Sequence, residues 1–358
     1  MQTESTLNYA RHAVARRILW ASLALAPATV AFDLVSHPGK VTLFILAALS
    51  LIPLAWLIGA ATEQAAEHTG AGVGGFLNAS FGNAPELIIA LFAINNNLPQ
   101  VVRGSLAGSV ISNLLLVFGV TQLVGPEKAI DRRSLLTQLG LIGAAVIIFL
   151  PAVVLGYTGH SERHTVVLTS VPLSLVLLVL YLTVTRGNLL RHQQAERGEP
   201  SPGAWTLPTA LGTLAVATVA TAFVSELLVH SLDAFARAVG ASDFFIAVVI
   251  VAIVGNAAEH GGSIVIARAG KMKLASEIAV SSGAQVALLV TPAVMLLSLF
   301  FAHALPLSFR WEELAAMAGA TVLVIGTVRN GRSSRWAGAV LVVAYAAVVV
   351  GFLFAGSR

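Results

Sequence analysis

The sequence predicts an all-α polytopic membrane protein of about 11 transmembrane helices, one extra N-terminal helix plus two inverted five-helix repeats. Three observations predict it. The 358 residues are 57% hydrophobic and 11% charged, with a mean hydropathy of +0.85, whereas a soluble chain is about 25% charged. Many apolar runs exceed the ~18–20 residues that cross a bilayer. A five-residue frame, Gly82-Asn83-Ala84-Pro85-Glu86, returns as Gly255-Asn256-Ala257-Ala258-Glu259 inside runs that are otherwise nearly all apolar.

Taken in order, the spans fall at about 18–36, 41–66, 72–94, 104–123, 134–156, 164–185, 205–232, 244–267, 275–300, 312–328 and 335–355. The first follows Arg11, Arg16 and Arg17 and lacks a small-residue cleavage site, so it reads as a retained helix. The second carries Glu63 near its end. The third contains the first Gly-Asn frame, and the fourth carries Ser109, Ser112 and Asn113 on one helical face. After the sixth comes a polar segment, Arg186 to Gly203, whose Glu-Pro-Ser-Pro-Gly run reads as a linker. The seventh contains Glu226, the eighth the second frame, and the ninth Ser282 and Gln285. The implied divisions are a tail and first helix at 1–40, a first repeat at 41–185, a linker at 186–204 and a second repeat at 205–358.

The loop charges agree with this count. With the N-terminus inside, five cytoplasmic segments carry fifteen of the 21 Lys and Arg, three in each. Lys40, Arg103, Arg163, Arg237, Arg310 and Arg358 fall on the other side. That asymmetry is the positive-inside pattern. It leaves no Lys or Arg deep in a span to neutralise a carboxylate. It also explains the pI near 9.8 through loops rather than nucleic-acid binding. There is no cysteine, which excludes disulfides and thiolate metal sites. No His-Glu-x-x-His or Gly-x-Ser-x-Gly motif supports an enzyme.

Adding 173 to a position in the first half finds its partner in the second: Gly82 with Gly255, Asn83 with Asn256, Glu86 with Glu259, Ser109 with Ser282, and Ser112 with Gln285. Glu63 meets Glu226 at an offset of 163. The two frames lie five helices apart, an odd number, so they cross the bilayer in opposite directions. Many secondary transporters use such inverted repeats to build a midplane substrate site.

A carboxylate near the middle of a membrane helix costs about 2.5–3.5 kcal/mol on insertion scales, and this chain carries that cost in both frames. In a helix Asn83 shares a face with Glu86, and Asn256 with Glu259. Gly82 and Gly255 let a helix or an ion approach the backbone. Pro85 leaves the carbonyl of Phe81 without its helical donor. Two carboxylates, two amide oxygens and a few carbonyls form an all-oxygen site, the ligand set of a hard cation such as Ca²⁺. Ser109, Ser112, Asn113, Ser282 and Gln285 line the ion path or serve as helix contacts. Glu63 and Glu226 form a second carboxylate pair with no cation nearby in sequence. Low-dielectric surroundings disfavour the charged form, which suits groups that exchange protons. His260, whose counterpart in the first copy is Leu87, is either a proton-transfer aid or a buried packing residue. Glu67 and His230, one turn beyond the second pair, are expected at the water interface.

At this point the residues resemble a known family. GNAPELIIALFAI with GSVISNLLLVFG, and GNAAEHGGSIVIA with SSGAQVALLVTP, look like the two alpha-repeats of the cation/Ca²⁺ exchanger superfamily, in its Ca²⁺/H⁺ antiporter branch. Ala61-Thr62-Glu63 and Ser225-Glu226-Leu227-Leu228-Val229 are similar to segments of that branch. The resemblance implies alternating access, Ca²⁺ held between Glu86 and Glu259, proton coupling through Glu63 and Glu226, and a path flanked by Ser112 and Gln285. It implies no cofactor besides the transported Ca²⁺, and no nucleic-acid partner. The chain departs from the family at Ser281-Ser282, where Gly-Ser is usual, at Pro85, where Ala is usual, and in a linker of mixed charge where eukaryotic relatives are acidic. Short loops favour a prokaryotic inner membrane. Exchange of another cation pair, Na⁺/Ca²⁺ or Mn²⁺/H⁺, and a passive cation channel are the alternative readings.

Overall fold

In hydrocarbon every backbone amide must find its partner within the chain, which restricts spanning segments to helices or closed barrels. The computed structural model describes residues 17–159, 164–192 and 204–355, and they are almost all helical. The one strand-like contact among them is an isolated bridge between Ala129 and Arg332 in two loops. The helices are α1 (Leu25–Ser36, the end of an apolar span from Arg17), α2 (Lys40–Phe81), α3 (Ala84–Asn95), α4 (Pro99–Val124), α5 (Arg132–Tyr157) and α6 (His164–His192). The second half continues with α7 (Leu207–Val239), α8 (Asp243–Gly255), α9 (Ala257–Arg268), α10 (Met272–Ser298), α11 (Trp311–Val328) and α12 (Arg335–Ala355). Nine of the described helices are long and apolar enough to cross a membrane, and the bent pair α8 and α9 makes a tenth span.

The expected eleventh span, 72–94, is not one helix. The chain is helical through Phe81, breaks at Gly82 and Asn83, and restarts at Ala84. Helix α2 has 42 residues, so if straight it would be about 63 Å long, twice the hydrocarbon thickness. Glu63 and Gly82 both line one cavity. Two other boundaries differ from expectation. Helix α6 continues to His192, into the stretch read as linker, and the rest of that stretch, 193–203, lies outside the described residues. Helix α4 begins at Pro99 rather than 104, which puts Arg103 inside it and buried. The inference that no cation enters a span is corrected by this one residue, which sits in the first turns of its helix.

The internal symmetry is visible in the backbone. Helices α3 and α9 begin at 84 and 257 and end at 95 and 268, while α4 and α10 begin at 99 and 272. Both pairs keep the offset of 173. A π-helical turn interrupts α4 at Ser112–Val117 and α10 at Val286–Val290, the same register. Such turns widen a helix by one residue and occur often at functional sites.

The equivalent first helices of the two repeats, α2 and α7, pack against each other and run antiparallel. Phe44 near the start of α2 stacks on Phe235 near the end of α7, with ring centroids 4.3 Å apart. Leu57, Ile58 and Ala61 pack with Leu214 and Ala217. At the far end His68 Nε2 lies 2.6 Å from the Trp205 carbonyl, and Trp205 N donates to Gln64 Oε1 at 2.7 Å. Equivalent helices running in opposite directions are what an inverted repeat requires. Helix α1 stands outside this symmetry and packs on α2 and α7, with Thr29 and Ser50 hydroxyls 3.0 Å apart.

The halves are locked together where α4 crosses α8. A Cβ on Gly108 would lie 2.0 Å from the Val248 carbonyl oxygen and 2.9 Å from Ala252 Cβ. Only glycine permits that approach, and the obstacle is backbone, which cannot rotate away. Gly108→Ala is therefore expected to destabilise the protein by about 2 kcal/mol or more, the cost of forcing extra volume into a packed core. Gly140→Ala, on a helix where nothing lies within 4 Å of the added carbon, is expected to be neutral or slightly stabilising. Thermal melting of the two variants in the same detergent checks this; equal melting temperatures would contradict the close crossing.

Candidate functional site

The two Gly-Asn frames are helix breaks. Asn83 and Asn256 have near-identical non-helical dihedrals, φ −103° and ψ 19° against φ −90° and ψ 9°. Each is the residue before a new helix, and α8 meets α9 at an angle of 58°. The expectation that Asn and Glu share a continuous helical face is corrected accordingly: each Asn caps the helix, and each Glu sits in its first turn. Pro85 is not the cause, because the second copy breaks identically with Ala258 in its place. The arrangement has an electrostatic use. The first turn of a helix presents unpaired N–H groups and the positive end of the helix dipole, which favours a carboxylate there.

Each asparagine reaches across to the other repeat. Asn83 Nδ2 donates to Gln285 Oε1 at 2.9 Å. Asn256 Nδ2 donates to Ser109 Oγ at 2.8 Å and to the Ala252 carbonyl at 2.9 Å, and Asn256 Oδ1 accepts from Asn113 Nδ2 at 3.3 Å. Both asparagines are buried to 1% exposure. Ser282 Oγ donates to Glu259 Oε2 in a short hydrogen bond. Ser112 is buried and returns its hydroxyl to the Ser109 carbonyl at 3.2 Å, at the start of the π-turn. These bonds bring seven predicted residues, and Glu259 with them, into one buried polar layer between the repeats.

Glu86 packs against Gly255, the residue before the second break. A Cβ on Gly255 would be 3.3 Å from Glu86 Cγ and 3.4 Å from its Oε1. Glu86 is buried, and its Oε2 has no hydrogen-bond partner. Among the described residues no three His, Asp or Glu side chains converge as a metal cluster. A cation placed here would thus have two carboxylates at most, completed by neutral amide, hydroxyl and carbonyl oxygens.

The two carboxylates differ in their access. Glu259 is half-buried and lines a cavity of about 550 Å³, together with Glu63, Gly82, Trp56, Gly262 and Ser263. Glu86 lines a sliver of about 10 Å³, walled by Ser105, Ser109, Val251 and Gly255, with room for about one water molecule. Beyond that sliver stands the α4–α8 seam of Gly104 and Gly108 against Phe244 and Val248.

Not every predicted residue joins the layer. Glu63 is exposed on the wall of the large cavity. Its repeat partner Glu226 is exposed on α7 and on the wall of neither cavity. His260 is buried, with an Nε2 that makes no hydrogen bond. Glu67 and His230 are exposed. The cavity wall formed by Trp56, Gly262 and Ser263 was not anticipated. Its signal in the sequence is the Gly261-Gly262-Ser263 run after His260, since neither glycine has an atom within 4 Å of where a Cβ would stand. Glu313, 1% exposed at the start of α11, was also missed.

A family model described as sodium/calcium exchanger protein matches residues 40–188 and 209–354. The chain is 37% identical over 339 residues to the Ca²⁺/H⁺ antiporter ChaA of Bacillus subtilis (strain 168), covering 91% of this chain and 95% of that protein. It is 34% identical over 342 residues to the Ca²⁺/H⁺ antiporter of Aphanothece halophytica, covering 89% and 91%. The solved structure of native YfkE superposes with a TM-score of 0.81 at 34% identity, over 94% of this chain and 99% of that one.

The fit of Gly255 against Glu86 yields a test. Gly255→Ala places a methyl in the space beside the carboxylate and is expected to weaken divalent-cation binding by roughly tenfold, about 1.4 kcal/mol, with the melting temperature retained. Gly262→Ala, which adds its methyl to the open cavity, is expected to bind as wild type. Calorimetric titration in detergent reads both; unchanged affinity in Gly255→Ala would remove that glycine from the site.

Proposed function

The chain belongs to the sodium/calcium exchanger family, and from that premise we infer that it is an integral membrane antiporter that exchanges Ca²⁺ for H⁺. The observation that carries the reading is that Glu86 and Glu259 each sit in the first turn of a helix restarted at paired breaks, with no Lys or Arg in the polar layer that joins them. A charged pair in such a place needs compensation. Either a divalent cation or bound protons supply it, so the two ligands exclude one another at the same oxygens.

The proposed cycle uses the chain's own groups. Ca²⁺ is held by the Glu86 and Glu259 carboxylates, with Asn83 and Asn256 as the capping amides beside them. Ser109, Asn113 and Gln285 hold the two amides, Ser282 holds the Glu259 carboxylate, and Ser112 bonds the Ser109 carbonyl beside them along the path. Gly82 and Gly255 leave space at the breaks. Protons arriving at the glutamates remove the charge that retains the cation, and it leaves. With the carboxylates neutral, the site can pass the membrane without an uncompensated charge.

Glu63 shares the large cavity with Glu259 and is the group through which protons reach that side. Glu226, its symmetry partner, takes the same part at the opposite face when that face opens. His260, beside Glu259 in sequence, is assigned to the proton path on the strength of its buried, unbonded Nε2. By the loop charges the large cavity faces the cytoplasm, and the closed α4–α8 seam faces outward. The bacterial relatives support a plasma-membrane location, and the loop charges support a cytoplasmic N-terminus. The two stretches matched by the family model support a first repeat at 41–185, a linker at 186–204 and a second repeat at 205–358, after a tail and first helix at 1–40.

Two measurements test this reading. In proteoliposomes under an imposed pH gradient, wild type should accumulate Ca²⁺, whereas Glu86→Gln and Glu259→Gln should fall to background while remaining folded, since a neutral amide costs less in lipid than a carboxylate. Substantial uptake by either variant would end that residue's assignment as a ligand. Flux in both directions without proton movement would point to a channel instead.

Proton competition also fixes a sign. Cation binding must expel protons from the empty site, so apparent Ca²⁺ affinity should fall as pH drops, by up to roughly tenfold per pH unit for each proton displaced. Titrations between about pH 6 and 9 should show this slope in wild type. Glu63→Gln should flatten it more than it weakens binding. An affinity constant over that range would exclude competition at shared oxygens.

A further inference from the structure

A second cavity, of about 270 Å³, lies at the end of the bundle where α4 and α11 begin and α5 and α12 end. It is separate from the carboxylate layer and shares no lining residue with the cavities beside Glu86 and Glu259. Two guanidinium groups converge there. Arg103 is buried on α4, and Arg310 precedes α11. Both line the cavity wall. Arg310 is fixed in place: its Nη2 donates to Gln100 Oε1 at 2.8 Å, and its guanidinium sits 4.1 Å over the Phe244 ring.

The mouth of the cavity is aromatic. Tyr157 and Trp311 stand edge to face with centroids 6.2 Å apart, 76% and 41% exposed. Exposed Tyr and Trp at the ends of spanning helices sit at the level of lipid headgroups. One carboxylate, Glu312, also lines the cavity. Glu313 is buried behind it and accepts from the Arg310 backbone amide, closing the helix start.

This combination has a chemical match. Paired guanidinium forks recognise phosphate oxygens. A carboxylate and two aromatic rings beside them receive an ammonium. We propose that this cavity binds the headgroup of a zwitterionic aminophospholipid, with its phosphodiester at Arg103 and Arg310 and its ammonium at Glu312 and the Tyr157–Trp311 pair. The depth set by the aromatic pair assigns the ligand to the membrane rather than to a soluble phosphate ester. Such a lipid would fasten α4 of one repeat to α11 and α12 of the other, at the face where the α4–α8 seam is closed.

Native mass spectrometry of the delipidated full-length protein tests the proposal. The probes are phosphatidylethanolamine, phosphatidylglycerol, soluble glycerophosphoethanolamine and inorganic phosphate. Wild type should retain one phosphatidylethanolamine per chain in preference to phosphatidylglycerol, and neither soluble probe should displace it. Arg103→Lys keeps the charge but loses the fork, and should bind the lipid roughly tenfold more weakly. Glu312→Gln, an exposed change that leaves the fold intact, should still bind one phospholipid but lose the preference for the ethanolamine headgroup. Equal retention of both lipids by wild type and Glu312→Gln would overturn the proposal, and so would displacement by either soluble probe. If Arg103→Lys melts early, the headgroup preference of Glu312→Gln still decides the matter. Ca²⁺ uptake is read separately, so failure here leaves the antiport reading standing.

Discussion

An ionised carboxylate cannot rest in a hydrocarbon core without a compensating charge, and this protein puts two there. The rest of the fold answers that constraint. Two helices are interrupted so that each Glu falls in a first turn, where unpaired amides and the helix dipole favour negative charge. The exposed ends of the broken helices are in turn covered by side chains of the opposite repeat. Asn83 reaches Gln285 and Asn256 reaches Ser109 and Asn113, while Glu259 takes the Ser282 hydroxyl of its own repeat. Compensation by fixed dipoles is partial, and in the proposed cycle the remainder falls to Ca²⁺ or to protons.

Close packing supplies the second half of the device. Where α4 crosses α8, glycine lets two backbones touch. On the other side of the break, Gly261 and Gly262 have no neighbour at the Cβ position, and a cavity of about 550 Å³ reaches Glu259. The same residue type thus closes one face and opens the other, depending on what lies opposite. Interdigitated interfaces of this kind are bistable rather than gradually deformable, which suits a protein that must expose its site to one side at a time. The π-turns at equivalent places in α4 and α10 flank the polar layer on both sides, and a widened turn is where a helix accommodates a small shift most cheaply.

How much of this was legible in the sequence depends on range. Most helical spans, the repeat offset of 173 and the paired Gly-Asn-x-x-Glu frames are local or periodic signals, and they appear in the structure, with the span expected at 72–94 broken at its centre. The breaks were not legible, because a Gly-Asn pair in an apolar run reads equally well as a packed helix. Pro85 pointed to a disturbance in one copy, yet the second copy breaks without it. Arg103 was placed in a loop because a helix start at Pro99 and one at 104 fit the same hydropathy. Glu63 and Glu226 form a symmetric pair in sequence, but in this conformation only Glu63 lines the cavity that reaches a central carboxylate.

The sequence by itself determined that the chain spans a membrane, that it is built from two related halves, and which carboxylates stand in matching positions. Those conclusions rest on composition and spacing, which are properties of the chain alone. The tertiary structure alone decided which side chains of one half meet the other, that each Asn is a cap and not a helical neighbour of its Glu, and which carboxylate is reachable. Cross-repeat hydrogen bonds join residues up to 212 positions apart. No local pattern specifies such a contact, because it exists only once two inverted halves have packed and excluded the lipid between them.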